Sequence, residues 1–371
     1  MKLILQALKH LITLVIILVA CATAFTAWSV RIPPEEAGKL CLGWFAFPYL
    51  WLLMLVIIIV TFAFRSWFAC FCCAAVVVAT WGSARQVVDI PTSEEGIATG
   101  SKTYKLITYN VHYLGYGDEL TVEHARDSIC TFLLASNADV ICLQECTAFN
   151  FISKQTHGQG DELLEKYPYQ LTFNDDRGGQ TILSHIPLEK VDKPAETVGK
   201  LGEMNTTITA DIRLGDDTVR IINCHLASLR LTSNEINAVS RRSRIDNERA
   251  STLHTTYDKL RNAFIERQTE ANLLAKAIET SPHPTIVCGD FNDTPISYTY
   301  HMATNTKRHI NDARAPHRLG LARTYRGNLP PLRIDYVLTT DEIATEGYTE
   351  YDMPTSDHKA VSISFAMKSV K

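Results

Sequence analysis

Apolar positions follow two regimes along this chain. From Leu11 to Trp28, from Leu42 to Phe64 and from Trp67 to about Trp81 they are almost uninterrupted, whereas beyond residue 103 they recur in short runs and helical stripes. The first run follows Lys2 and Lys9, precedes Arg31, and is long enough to cross a hydrocarbon core. A signal peptide has the same outline, but a second uncharged run so close behind favours membrane spans. The third run is shorter and follows a tight Arg65-Ser66 break. We expect three spans, with two as the alternative. Lys2, Lys9 and Arg65 stand against Arg31, Lys39 and Arg85, so a positive-inside count does not decide orientation. The pattern divides the chain into a membrane segment over 1–85, a polar, turn-rich linker over 86–103 and a globular part over 104–371.

In the globular part, β-like runs are expected at Tyr104–Val111, Asp139–Leu143, Tyr169–Phe173, Thr181–Ser184, Thr206–Leu214, Val219–Leu226, Thr285–Cys288, Ile334–Thr339 and Val361–Met367. Val122, Ala125, Ile129, Phe132 and Leu133 form a helical stripe that Asn137 ends, and a longer stripe runs from Leu253 to Ile278. Val140 to Leu143 is apolar on both faces, which marks a central strand covered on each side. The expected fold is α/β: two β-sheets packed face to face and flanked by helices, a four-layer sandwich preceded by transmembrane helices.

Composition bears on two further points. Of the 371 residues 46% are hydrophobic, and beyond Arg85 there are 30 Lys and Arg against 38 Asp and Glu. That balance lacks the broad positive field with which proteins grip long nucleic acid. The ten cysteines show no metal spacing, five lie in the apolar N-terminal segment, and no disulfide framework is expected.

Chemistry-bearing residues collect at the ends of the β-like runs. Asn110 follows Leu106 to Tyr109; Gln144 and Glu145 end the run from Asp139; His225 ends the run from Val219. Thr285 to Cys288 leads through Gly289 into Asp290 and Asn292, and Arg333-Ile-Asp335 and Ser356-Asp357-His358 introduce the last two runs. Each alone also reads as an ordinary solvated strand end. Together they offer hard oxygen donors suited to Mg²⁺ or Mn²⁺ and histidines able to handle a proton near neutral pH. That combination points to metal-assisted hydrolysis of a phosphate ester.

With these residues in this order, the chain resembles the endonuclease/exonuclease/phosphatase superfamily over residues ~104–367, through Thr108-Tyr-Asn110, Leu143-Gln-Glu145, Gly179-Gln-Thr-Ile-Leu-Ser184, Asn223-Cys-His225, Gly289-Asp-Phe-Asn292, Arg333-Ile-Asp335 and Ser356-Asp-His358. The multi-span N-terminus makes it similar to membrane-anchored bacterial members. The resemblance implies Glu145 as principal Mg²⁺ ligand (Mn²⁺ being the alternative ion), with Asn110 nearby and Asp357 completing the sphere. It further implies that Asp290 activates or orients the attacking water, that Asn292 bonds the phosphoryl group or that water, that His358, oriented by Asp335, contacts the phosphate or moves a proton, and that His225 contacts phosphate. Which of Asp290 and His358 is the base stays open. Gln180 and His185 depart from the superfamily pattern at the pocket rim. Two basic stretches, one with Arg241, Arg242 and Arg244 and one from Lys307 through Arg323 to Arg326, are either solvated surface or a rim that recruits an anionic substrate.

The expected partners are therefore a lipid bilayer and a phosphoester that is small or membrane-associated. The expected location is a bacterial inner membrane with the globular part outside the cytoplasm. A nuclease using the same metal site is the second reading, and an inactive membrane-anchored binding module the third.

Overall fold

The computed structural model describes residues 2–90, 96–115, 122–147, 159–173, 179–191, 207–229, 235, 247–315, 319–327 and 332–368. Its helices are α1 (Lys2–Ser29), α2 (Pro34–Ala37), α3 (Phe47–Ala63), α4 (Trp67–Ala79), α5 (Trp81–Val87), α6 (Val122–Ser136), α7 (Gln159–Lys166), α8 (Asn247–Glu279) and α9 (Tyr298–Thr304), with 3-10 turns over Gly38–Ala46. Its strands are β1 (Val88–Asp89), β2 (Tyr104–Asn110), β3 (Val140–Gln144), β4 (Tyr169–Phe173), β5 (Gln180–Ser184), β6 (Leu188–Lys190), β7 (Thr207–Leu214), β8 (Asp217–His225), β9 (Thr285–Asp290), β10 (Ile310–Asp312), β11 (Gly320–Leu321), β12 (Asp335–Thr340), β13 (Ile343–Tyr351) and β14 (Ala360–Met367).

Two six-stranded mixed sheets carry the fold, in the orders β13-β14-β2-β3-β5-β4 and β10-β12-β9-β8-β7-β6. Among the described residues, only β2 with β3 and β8 with β9 run parallel; the other pairs in these sheets are antiparallel. Alternation along each central strand explains the layering. Val140 and Cys142 face the inter-sheet core with Ile221, Ile286, Cys288 and Val337, while Ile141 and Leu143 face the opposite way, into a cluster with Ile129 and Leu133 of α6. On the outer face of the second sheet, Ile222, Val287 and Leu338 pack against Leu274 and Ile278 of α8 and Tyr300 of α9. Strands covered on both faces read as continuous apolar runs, and the four-layer expectation holds. A polar clamp joins the sheets near one end: Gln144 donates to Asn223 Oδ1 at 2.6 Å, and the Asn223 amide donates to the Leu143 carbonyl at 3.0 Å. All ten cysteines are free.

The N-terminal helices include two stretches long and apolar enough to cross a membrane, His10–Ser29 and Pro34–Ala63. The third expected span becomes α4 and α5, bent by 62° at their junction, and counts as a span only if the two pieces are taken together. Helix α4 alone, with its 13 residues, rises about 20 Å, short of a core about 30 Å thick.

The start of the expected linker is structured. Val88 and Asp89 pair with Leu321 and Gly320, and Arg314 forms an ion pair with Asp89. Farther along, the Ile97 amide donates to Glu346 at 2.9 Å. The polar composition there serves local pairing with the globular part. The connector over residues 30–46 is also docked. Val30, Ala37, Cys41 and Trp44 share one buried cluster with Ala84, Val87, Phe264 of α8, Ile296 and Tyr298.

Gly289 tests how tightly the parallel pair β8–β9 is built. Its φ is +127°, and a Cβ there would lie 2.1 Å from the Cys224 carbonyl oxygen. Gly289→Ala should therefore destabilise the protein by roughly 3–5 kcal/mol. Gly215→Ala, at φ +74° with open space around it, should cost only about 1–2 kcal/mol. Denaturant midpoints of the full-length protein in detergent check this; equal effects at the two positions would contradict it.

Candidate active site

Register brings the strand-end residues to one edge of the sandwich. Asn110 pairs with Gln144 at the end of β2–β3, His225 with Asp290 at the end of β8–β9, and Asp335 with Asp290 where antiparallel β12 begins. Glu145 and Asn292 lie one and two residues past their strands' ends, and both adopt left-handed backbone, at φ 55° and 52°. Non-glycine residues held there carry strain of order 1–3 kcal/mol and cluster at functional sites. His112, Tyr113 and Leu114 are also left-handed in succession, a turn that brings His112 back over the site.

These side chains interlock. The Asn110 amide donates to Glu145 Oε1 at 3.2 Å and to Asp290 Oδ2 at 3.0 Å, while its oxygen accepts the His112 backbone N–H at 3.0 Å. A backbone donor fixes which end of the carboxamide is oxygen, so Asn110 presents its NH₂ to the carboxylates. It clamps the two carboxylates. Asp290 also accepts from the Asn292 backbone N–H at 2.7 Å and from its side chain at 3.2 Å. His358 Nδ1 lies 3.1 Å from both oxygens of Asp335, and its Nε2 lies 3.7 Å from Asp290 Oδ2. His225 Nε2 stands 3.5 Å from Glu145 Oε1, and His112 Nδ1 is 3.0 Å from Asp357 Oδ1.

Burial sets the protonation states. It pushes Glu145 up to about 7 despite the Asn110 hydrogen bond and the nearby His112 and His358. It also raises Asp290, against the opposing charges of His358 and His225. Burial would lower His358, but the charges of Asp335 and Asp290 overturn that and push it up to about 10. His358 is thus an imidazolium at neutral pH. Burial raises Asp357, yet contact with His112 and the charge of His358 hold it below the usual carboxylate range.

Two groups bear on a cation. Ligand atoms of Asp290, Asp335 and His358 lie within 4.8 Å of one another, but both Asp335 oxygens face His358 Nδ1 and a protonated imidazole offers no lone pair. Glu145 fits better: its Oε2 is buried without a hydrogen bond, with His112 Nδ1 no nearer than 3.9 Å. A buried carboxylate oxygen without a donor calls for a positive partner, and Asp357 lines the same cleft.

Of the other expected rim residues, Arg241, Arg242 and Arg244 lie outside the described residues. Arg323 is not in the cleft wall; it donates to the Tyr325 and Arg326 carbonyls at 2.8 and 3.0 Å. Its neighbours are engaged likewise: Arg308 pairs with Glu342, Arg314 with Asp89 and Arg326 with Asp352. The cleft-lining residues that the sequence reading did not single out include His112, Tyr325 and Phe45. His112 was signalled by its position two residues after Asn110. Tyr325, whose ring meets His358 at 5.3 Å, carried no local signal.

The sequence model of the Endonuclease/Exonuclease/phosphatase family matches residues 107–358, more than half of the chain. No curated protein sequence matches significantly. Among solved structures, the chain is similar to an endonuclease/exonuclease/phosphatase from Bacteroides vulgatus, at 17% identity over 72% of this chain and 100% of that one, with a TM-score of 0.49. It is similar also to the human Nocturnin catalytic domain with bound sulfate anion, at 17% identity over 72% and 95% with a TM-score of 0.47. A humanized TDP2 from D. rerio shares 16% identity over 71% and 99%, with a TM-score of 0.46.

Because Glu145 holds its proton up to about pH 7 without a cation, protons should compete with metal below that pH. Mn²⁺ affinity measured by calorimetry should be steady above pH 8 and weaken by up to tenfold per unit below pH 7. Glu145→Gln should remove both the affinity and its pH dependence. Unchanged affinity between pH 8 and pH 6 would contradict the assignment.

Proposed function

Because the chain belongs to the endonuclease/exonuclease/phosphatase family, we propose that it is a membrane-anchored, Mg²⁺-dependent phosphoesterase. It hydrolyses a phosphodiester or phosphomonoester of a small or membrane-associated substrate. The observation that carries this reading is the convergence of Glu145, Asp290, Asn292, Asp335 and His358 at one edge of the sandwich, within the stretch that matches the family. In this reading residues 1–85 anchor the chain, 86–103 connect, and 104–371 catalyse. Lys2 and Lys9 remain in the cytoplasm and the catalytic part lies outside it.

Glu145, Asp290, Asp335 and His358 have roles that their surroundings support. Glu145, with Asp357 beside it, would hold Mg²⁺ or Mn²⁺, which polarises the phosphoryl oxygens and offsets their developing charge. Asp290 is the base. It is an acceptor surrounded by N–H donors, whereas His358 is already protonated. The imidazolium of His358, oriented by Asp335, neutralises a phosphoryl oxygen. For Asn292 and His225 the phosphoryl contact rests on the family resemblance alone, since the Asn292 side-chain amide donates to the Leu226 carbonyl and to Asp290. Among the described residues, Arg308, Arg314 and Arg326 are paired with acids, so these three do not offer the free positive charge that a nuclease would use along an extended strand.

Full-length protein in detergent should hydrolyse bis(p-nitrophenyl) phosphate or p-nitrophenyl phosphate faster than it nicks plasmid DNA. EDTA and Glu145→Gln should each abolish turnover, and Mg²⁺ or Mn²⁺ should restore only the chelated wild type. Full activity in chelator, or plasmid degradation without small-ester turnover, would overturn the reading.

The Asp335–His358 pair makes a separate prediction. Asp335→Asn and His358→Gln should each lower kcat by a large and similar factor, and the double variant should lose little more than either. Losses that multiply would show independent action.

A further inference from the structure

The membrane-proximal connector contributes a wall to the cleft. Phe45, in the 3-10 turns between α1 and α3, lines the same cleft as Glu145, Asp290, Asn292 and His358. Its half-buried ring lies 6.1 Å from that of Phe264 in α8, and Trp44 meets the same ring edge-on at 5.7 Å. Phe264 carries the Arg267 guanidinium 4.9 Å above its face, and Arg267 is ion-paired at 3.3 Å with Asp293, the residue after Asn292. Buried stacking and a buried ion pair therefore fix Phe45 relative to the reacting groups.

The same residue sits at a defined level of the apolar helices. Trp44 donates to Ser29 Oγ at 3.0 Å, which ties the connector to the end of α1. Helices α3 and α4 fold back on each other, with Trp51 against Trp81 at 5.9 Å on the near end and Phe62 against Trp67 at 5.2 Å on the far end. Trp28, Trp44, Tyr49, Trp51 and Trp81 thus gather at the end nearest the catalytic part, and Trp28, Tyr49 and Trp81 are exposed there. Trp and Tyr in such a belt mark the depth of lipid headgroups. Phe45 lies within the belt and in the cleft wall at once.

We propose that the substrate is a bilayer lipid with a phosphoester headgroup, which enters the cleft past Phe45 without leaving the membrane; this rests on the phosphoesterase reading above. The phosphate reaches Glu145 and His358 while the apolar part of the lipid lies against the Phe45 ring. The water oxygen bonds to phosphorus, the P–O bond to the leaving alcohol breaks, and the proton lost by the water ends on the leaving oxygen. A water-soluble ester meets the same carboxylates but has no apolar chain to place on Phe45.

The test reconstitutes full-length protein with Mg²⁺ in vesicles of phosphatidylcholine containing phosphatidylglycerol, phosphatidic acid or a phosphoinositide, and measures bis(p-nitrophenyl) phosphate turnover in parallel. Wild type should hydrolyse at least one lipid. Phe45→Ala should lower the ratio of lipid to soluble-ester turnover by about tenfold, and Phe45→Trp should keep it. An unchanged ratio in Phe45→Ala, or a parallel loss of both activities there and in Phe45→Trp, would make Phe45 a brace and overturn the proposal. Soluble-ester turnover by wild type without lipid turnover would overturn the lipid assignment and leave the phosphoesterase reading standing. Turnover of neither class would overturn both.

Discussion

Two carboxylates, Glu145 and Asp290, share the amide of Asn110 within the protein, and most of the surrounding structure answers the charge they concentrate. Negative groups this close and this poorly hydrated raise each other's proton affinity. The fold opposes that with N–H donors from Asn110 and Asn292 and with the imidazolium of His358, itself held by Asp335. One oxygen, Oε2 of Glu145, is left without a donor, which a proton or a divalent cation can balance. The Gln144–Asn223 clamp next to these residues ties the two sheets together, so the carboxylates cannot relieve their crowding by drifting apart.

Strain and packing reinforce this arrangement. Glu145 and Asn292 sit in left-handed backbone one and two residues after strands whose side chains are buried on both faces. The strands do not shift to relax them, because a shift of one residue would turn every core side chain to the wrong layer. The site inherits its rigidity from the core.

Much of this was visible in the sequence because the residues concerned end apolar runs. The nine expected strands exist, and their polar end residues meet. Strands without an apolar run escaped notice: β13, Ile343–Tyr351, lies at a sheet edge with mostly polar, half-exposed positions, and edge strands need no two-sided apolar pattern. The orientation of Asn110 was hidden because it depends on the His112 backbone, which returns through a left-handed turn that no periodicity announces. The basic stretch around Arg308 to Arg326 looked like a recruiting surface because its acidic partners, Asp89, Glu342 and Asp352, are remote in sequence. Phe45 was read simply as part of an apolar run, and only the docking of that run on Phe264 separates it from its neighbours.

The shared cluster of Trp44, Phe47, Ala84 and Val87 with Phe264, Ile296 and Tyr298 also governs how the protein can be handled. Cutting the chain at residue 104 removes every partner on the N-terminal side of that cluster. It leaves Phe264, Ile296 and Tyr298 as a bare apolar patch next to the loop that holds Asn292 and Asp293. A water-soluble fragment made in this way would be sticky at its own catalytic mouth, and its colloidal behaviour would say little about the protein in its bilayer. The boundary between anchor and enzyme, clear in hydropathy, is not a boundary in packing.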